Sequence, residues 1–239
     1  MSKSAKKNGK SNKEGKAKKA AGKAKKAAGK AKKAAGKAEA RGRLIALEGT
    51  RDRELEEATE RLAHLCGDDG EPAGWSRWDA SNTFYELRLG KAKRYSPSPR
   101  TLLLLYASDL LFRLRWEIQP ALKEGRTVVA APYVESAIGF GVAAGLSKDW
   151  LKELFNFAPK PDCCLRLKEK AKGKSKDKKK GAKAPGGFVE FGCSTLAATS
   201  PDWDPAVLRA GILKYLEDLE ESGEIRRFGK KLPKALAKR

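Results

Sequence analysis

The apolar positions of this chain change their period along its length, and each change marks an element. Leu44-Ile45-Ala46-Leu47 is an unbroken apolar run that ends at Glu48-Gly49, the pattern of a strand buried on both faces. Leu55, Ala58, Leu62 and Leu65 then recur at spacings of three, four and three, which predicts a helix stopped by Gly67-Asp68-Asp69-Gly70. A short strand is predicted from Trp75 to Trp78. Ser96-Pro97-Ser98-Pro99 is a loop, and a long helix follows from Arg100 to about Glu124, bent near Pro120. Thr127-Val128-Val129-Ala130-Ala131 lies between Gly125 and Pro132 and reads as a strand. Trp150, Leu151, Leu154 and Phe155 share one face of a helix after Ser147, a residue suited to an N-cap. Pro161 to Leu167 and Phe188 to Phe191 predict two further strands. Asp204-Pro205 opens a last helix, with Val207, Leu208, Leu213, Leu216 and Leu219 inward and Gly223 as its stop. Strands alternating with helices predict an α/β body, a parallel sheet flanked by helices.

Charge divides the chain differently. Its 239 residues carry a formal net charge of +22. Residues 1–43 hold +15, residues 168–184 hold +7 and residues 226–239 hold +7, which leaves −7 on everything else. The expected organisation is therefore a disordered Lys/Ala/Gly tail (1–43), a mildly acidic folded domain (44–225) with a Lys/Gly-rich insertion (168–187), and a basic C-terminal tail (226–239). The first tail repeats GKAKKAA three times from Gly15, Gly22 and Gly29. Its period is seven, yet no side chain larger than Ala is available to form a coiled-coil seam. A Gly in each repeat costs about 1 kcal/mol of helix stability, and the like charges repel.

Such a segment resembles the Lys/Ala-rich tails of linker-histone-like proteins. Lys16, Lys18, Lys19, Lys23, Lys25, Lys26, Lys30, Lys32 and Lys33, with Lys178, Lys179 and Lys180 of the insertion, are the candidate polyanion-binding residues. Phosphate neutralisation releases condensed counterions, so the expected binding to nucleic acid or another polyanion is salt-sensitive. The repeats have no aromatic residue for stacking, so binding is expected to be indifferent to sequence.

Several chemistries are not expected. No apolar run approaches the length of a membrane span. The Lys-rich start has no apolar core of a signal peptide. Four cysteines in this length do not form a disulfide framework. The expected location is the cytoplasm, with nucleoid association through the tails. Cys163 and Cys164 are neighbours on one strand and point to opposite faces. With one His, at position 64, no metal site is expected.

Five segments, in order, resemble the thymidylate kinases, nucleoside monophosphate kinases of the phosphate-loop fold. Leu44–Gly49 and the helix after it resemble their first strand and phosphate loop. LLLLYASD (Leu102–Asp109) resembles their LLLFAADR, IQPALKEGRTVV (Ile118–Val129) their I-x-P-A-L-x-x-G-x-x-V-I, YVES (Tyr133–Ser136) the middle of DRYVDSS, and DWLKELFNFAPKPDC (Asp149–Cys163) their DWVRELNRFA…PDL segment. The resemblance implies a residual nucleotide pocket formed by Asp109, Tyr133, Ser136 and Arg88. Phe84 and Tyr85, ahead of Arg88, either face the nucleoside or pack the core.

The departures bear on activity. A phosphate loop has the form G-x-x-x-x-G-K-[ST], with glycines opening the backbone, Lys on the phosphates and a hydroxyl on magnesium. Here Gly49 remains, while Glu54, Leu55 and Glu56 stand at the glycine, lysine and hydroxyl positions. Asp52, Glu54, Glu56 and Glu57 crowd the start of a helix, where an incoming triphosphate would meet like charge. The family's DRY is Ala131-Pro132-Tyr133, and the Arg of AADR is Leu110. The expectation is a degenerate, catalytically inactive relative without catalytic residues or cofactor, binding polyanions through its lysines and a partner protein or second copy through its body. The alternative is an active nucleoside monophosphate kinase using ATP and magnesium at an atypical phosphate site.

Overall fold

The computed structural model describes residues 42–67, 71–87, 97–168 and 187–229. The lysine repeats, Arg88, the insertion beyond Lys168 and the chain from residue 230 onward lie outside the described residues, and so do Lys16 to Lys33 and Lys178 to Lys180.

Five strands form one parallel sheet. They are β1 (Leu44–Glu48), β2 (Gly74–Arg77), β3 (Val128–Ala131), β4 (Cys163–Leu167) and β5 (Arg226–Phe228), in the spatial order β2-β3-β1-β4-β5. The central strand β1 pairs Leu44 with Val128 on one side and Ile45 with Cys163 on the other. All five residues of β1 are buried, as its unbroken apolar run requires. Successive residues serve two cores. Ile45 and Leu47 pack with Leu55, Ala58 and Leu62 of α1 (Asp52–Leu65). Leu44 and Ala46 belong to the larger core beneath the other helices. Cys163 and Cys164 divide between the same two cores, on opposite faces as expected.

That larger core is built by α3 (Pro99–Arg113), α5 (Glu135–Ala143), α7 (Phe188–Thr199) and α8 (Pro205–Glu221), with the short α2 (Thr83–Leu87), α4 (Gln119–Lys123) and α6 (Lys148–Leu154) around it. Ser98 caps α3 through a bond from the Thr101 N–H, with Pro99 in the first turn. The long predicted helix is continuous but changes hydrogen-bond register. A π-helical stretch, Leu114–Ile118, separates α3 from α4 immediately before Pro120, where a missing N–H interrupts the ladder.

Three expectations are corrected. Phe188–Phe191 is the first turn of helix α7, not a strand. A four-residue apolar run has no period that separates the two, and here the turn sends Phe188, Val189 and Phe191 into an aromatic cluster with Phe84 and Phe140. Phe84 is therefore a core residue, while Tyr85 is 61% exposed. Val207 does not face inward: it is 67% exposed, and Leu208, Ile212, Leu216 and Leu219 carry the buried stripe of α8. The sheet also extends past residue 225. Arg226 and Arg227 are exposed on the edge strand, while Phe228 is fully buried against α1 beneath Arg61, so residues 226–228 belong to the folded domain.

Candidate nucleotide site at the carboxyl edge of the sheet

In open parallel sheets, ligands bind where the strands end and the chain turns into helices. Here β1 ends at Glu48, three residues intervene, and α1 begins at Asp52. The connection does not open into a loop. The Gly49 N–H donates to Ser136 Oγ at 3.1 Å, and the Leu55 N–H already donates to the Arg51 carbonyl at 2.8 Å. Leu55 is buried among Ile45, Leu47 and Leu167. The position where a phosphate loop carries its lysine is thus a core position of α1.

The acids at the start of α1 have separate fates. Asp52 folds inward and is 6% exposed. Its carboxyl group meets that of Glu190 from α7 and accepts the N–H of Gly187. Burial, followed by the neighbouring Glu190, holds the Asp52 carboxyl well above the ordinary carboxylate range. Arg209 of α8 approaches Glu190 at 3.5 Å. Glu54, Glu56 and Glu57 are each paired: with Arg51 at 3.0 Å, with Arg77 of β2, and with Arg53 at 3.1 Å. The four acids do stand together at the helix start, but arginines pair with the outer three and Asp52 is turned inward. What occupies the helix start is a hydrogen-bonded carboxyl group and the backbone entering α7.

The fit at Gly187 is close. A methyl group at its Cα would overlap the Asp52 side chain. Gly187→Ala is expected to lower stability by about 1–3 kcal/mol, measured by thermal unfolding, because the Asp52 carboxyl group or the backbone entering α7 must shift to admit the methyl group.

The remaining site residues are placed apart. Asp109 is buried, and its carboxylate accepts the N–H groups of Asp79 and Ser81, at 3.0 Å each, and the Ser81 hydroxyl at 2.8 Å. It shapes the turn after β2. Ser136, in the first turn of α5, donates to Glu48 Oε2 at 2.7 Å. The Tyr133 hydroxyl donates to the Pro159 carbonyl at 2.8 Å. His64 is exposed in the last turn of α1. Among the described residues no group of three His, Cys, Asp or Glu is placed to hold a metal ion.

Two residues that organise this edge were not singled out from the sequence. Glu48 is fully buried and accepts the N–H groups of Tyr133, Glu135 and Ser136, so one carboxyl group closes the start of α5. Burial raises it to about 7. Arg113 is fully buried and donates from Nε to Ser76 Oγ at 2.9 Å and from Nη2 to the carbonyls of Ser76 and Pro132 at 3.0 Å each. A signal for Arg113 exists: Leu102, Tyr106, Asp109 and Arg113 recur at spacings of four, three and four, placing both charged residues on the inward stripe of α3.

Beside α1 the edge opens into a cavity of about 350 Å³. Asp52, Leu55 and Glu56 line it with Trp75, Arg77 and Trp78. Asp109, Tyr133 and Ser136 do not line it, while the Gly49–Ser136 hydrogen bond joins the two expected groups of site residues.

No family model matches the chain. The probable thymidylate kinase of Pyrobaculum aerophilum is 36% identical over 72 residues, which cover 30% of this chain and 38% of that protein. That of Pyrococcus abyssi is 38% identical over 64 residues, covering 27% and 31%. That of Staphylothermus marinus is 31% identical over 90 residues, covering 38% and 45%. The chain thus matches less than half the length of each of these relatives. The crystal structure of thymidylate kinase from Ehrlichia chaffeensis superposes with a TM-score of 0.54 at 14% identity, covering 81% of this chain and 89% of that one. This chain is thymidylate kinase-like. The structural likeness is one of fold. At the β1–α1 connection of this thymidylate kinase-like chain, neither a lysine nor a hydroxyl stands at the corresponding positions of α1. Among the described residues no helix is long and apolar enough to cross a membrane.

Proposed function

We propose that this thymidylate kinase-like chain no longer transfers phosphate and acts as a binding protein, its lysine-rich segments attaching it to nucleic acid or another polyanion. The reading places it in the cytoplasm, at the nucleoid where the polyanion is DNA. One observation carries the loss of transfer: Asp52 and Gly187 fill the start of α1, the place where a triphosphate would draw on helix N–H groups. Leu55 in the core and a Gly49 N–H already bonded to Ser136 support it. A triphosphate would need these backbone donors freed and a cation supplied, and every arginine paired at this helix start is held by a glutamate.

The attachment rests on charge segregation. Residues 1–43 carry a net +15 without an aromatic side chain. Filter binding of the full chain to a DNA duplex is expected to weaken about a thousandfold or more between 50 and 200 mM salt, the slope of six or more phosphate contacts. Equal affinity at both salts would remove the attachment. A coupled assay with thymidylate, ATP and magnesium is expected to show no turnover. Turnover that disappears in Asp109→Ala would restore the kinase reading.

A further inference from the structure

The outer face of α3 carries large apolar side chains that none of the described residues covers. Leu104, Leu111, Phe112 and Trp116 are exposed along it, Trp116 at 63%. Leu104 and Leu111 are seven residues apart and so share one line of the helix. Phe112 and Trp116 form the next line, their ring centroids 6.5 Å apart. The π-helical stretch Leu114–Ile118 takes more residues per turn, which brings Trp116 back beneath Phe112. Ser108, also exposed, is the smallest side chain of the stripe.

The charges beside the stripe are few and laid against rings of their own chain. Arg100 lies over Trp150 at 5.7 Å and Arg115 over Trp116 at 5.4 Å. Asp109 is buried and Glu117 accepts the Ser76 hydroxyl, so no exposed carboxylate stands on α3 or the π-helical stretch. Four adjoining side chains of this size make an apolar patch on the order of 400 Å², large enough to mark an interaction site. The lysine repeats hold nothing larger than Ala to set against it. A second copy does. In a two-fold pairing the same patch serves both sides. Two helices crossing antiparallel at Ser108 would approach closely there and set Leu104 of one copy against Phe112 of the other. With the polar residues around the stripe, two such patches reach the roughly 1,200 Å² at which specific interfaces begin.

We propose that two copies of this chain pair through the outer face of α3 and its π-helical extension, and that the pair bridges two stretches of nucleic acid with its two sets of lysine segments. The bridging rests on the attachment reading above; the pairing does not. Each copy carries a net +22, and salt screens the repulsion between them over about 8 Å at physiological strength while leaving apolar burial in place. Salt therefore acts in opposite senses, tightening the pairing and loosening the attachment.

Sedimentation equilibrium of the full chain at about 20 µM in about 500 mM salt, where attachment to nucleic acid is suppressed, is expected to give twice the chain mass. Leu111→Glu and Trp116→Glu, both at exposed positions, are each expected to weaken pairing about tenfold or more with the circular dichroism spectrum unchanged. Val207→Glu, at an exposed apolar residue of α8, is expected to leave it intact. For the bridging, a DNA duplex fixed on beads and a labelled duplex in solution are mixed with the chain at about 100 mM salt. The parent is expected to retain the label. The Leu111→Glu variant is expected to lose most of it, while its filter binding to a single duplex stays within about twofold. A monomer in the sedimentation experiment, or a dimer that survives both substitutions, would overturn the pairing. Label retained by the Leu111→Glu variant, or no label retained by a parent that dimerises and binds duplex, would overturn the bridging. A parent that binds no duplex would overturn the attachment and the bridging together, with the sedimentation result still deciding the pairing.

Discussion

Replacing Arg113 with Ala is expected to destabilise the domain by about 4 kcal/mol, the range found when one partner of a buried charged network is removed. The guanidinium is fully buried and holds three points together: the Ser76 hydroxyl and carbonyl at the end of β2, and the Pro132 carbonyl after β3. Ser76 passes the link on, donating to Glu117 Oε2 at 2.6 Å. Truncation removes the guanidinium from the Ser76 and Pro132 carbonyls, the latter keeping only the Tyr106 hydroxyl, and leaves a cavity the size of the side chain. Urea unfolding is expected to show a lower midpoint with an unchanged slope. Arg113→Met, which restores volume but no donor, is expected to recover part of the loss. A change below about 1 kcal/mol for the alanine variant would show that the turn after β3 stands without this network.

The second large effect runs with pH. Glu48 and Asp52 both have carboxyl groups raised in the folded state, chiefly by burial. The folded chain therefore retains protons that the unfolded chain releases. Stability from these groups is complete below the ordinary carboxylate range and is lost as pH rises through their folded values. For Glu48, moving from 4.5 to about 7 corresponds to about 3 kcal/mol lost across that interval. Asp52 extends the loss further into the alkaline range. Glu220, lowered by Arg166 and Arg227, works in the opposite sense but only below its ordinary carboxylate value, outside this interval. The melting temperature is thus expected to fall steadily from pH 5 to pH 9. Asp52→Asn keeps the shape and removes the ionisation. It is expected to flatten the alkaline limb and to exceed the parent by about 2 kcal/mol at pH 8.5. Parallel profiles for parent and variant would show that Asp52 is ionised in the fold without cost.

How far the sequence reveals this molecule depends on the range of the interactions. The apolar run at Leu44 and the three-four-three spacing of α1 are local signals, and the resulting β1 and α1 are where the pattern puts them. Phe188–Phe191 failed because four apolar residues fit a strand or a helical turn, and long-range aromatic contacts with Phe84 and Phe140 decide between them. Phe228 failed because charge dominates its neighbourhood while one side chain enters the core. At the candidate site, the loss of glycine, lysine and hydroxyl was legible at Glu54, Leu55 and Glu56. The inward turn of Asp52 was not, since its partner Glu190 is remote in sequence and lay in a segment expected to be a strand. Glu48 ends its apolar run like a solvent-facing stop, yet the N–H groups of α5 bring it fully inside.

In the proposed reading, this chain's own carboxyl group and backbone occupy the place of a triphosphate. Amide hydrogen exchange of the peptide spanning Leu47 to Glu57, followed in the full chain with and without millimolar ATP and magnesium, tests it most directly and is blind to ATP held on the lysine segments. The same exchange rates with and without nucleotide are expected at Gly49 to Leu55. Marked slowing at those amides when ATP and magnesium are added would mean that the start of α1 still cradles phosphate, and would contradict the account.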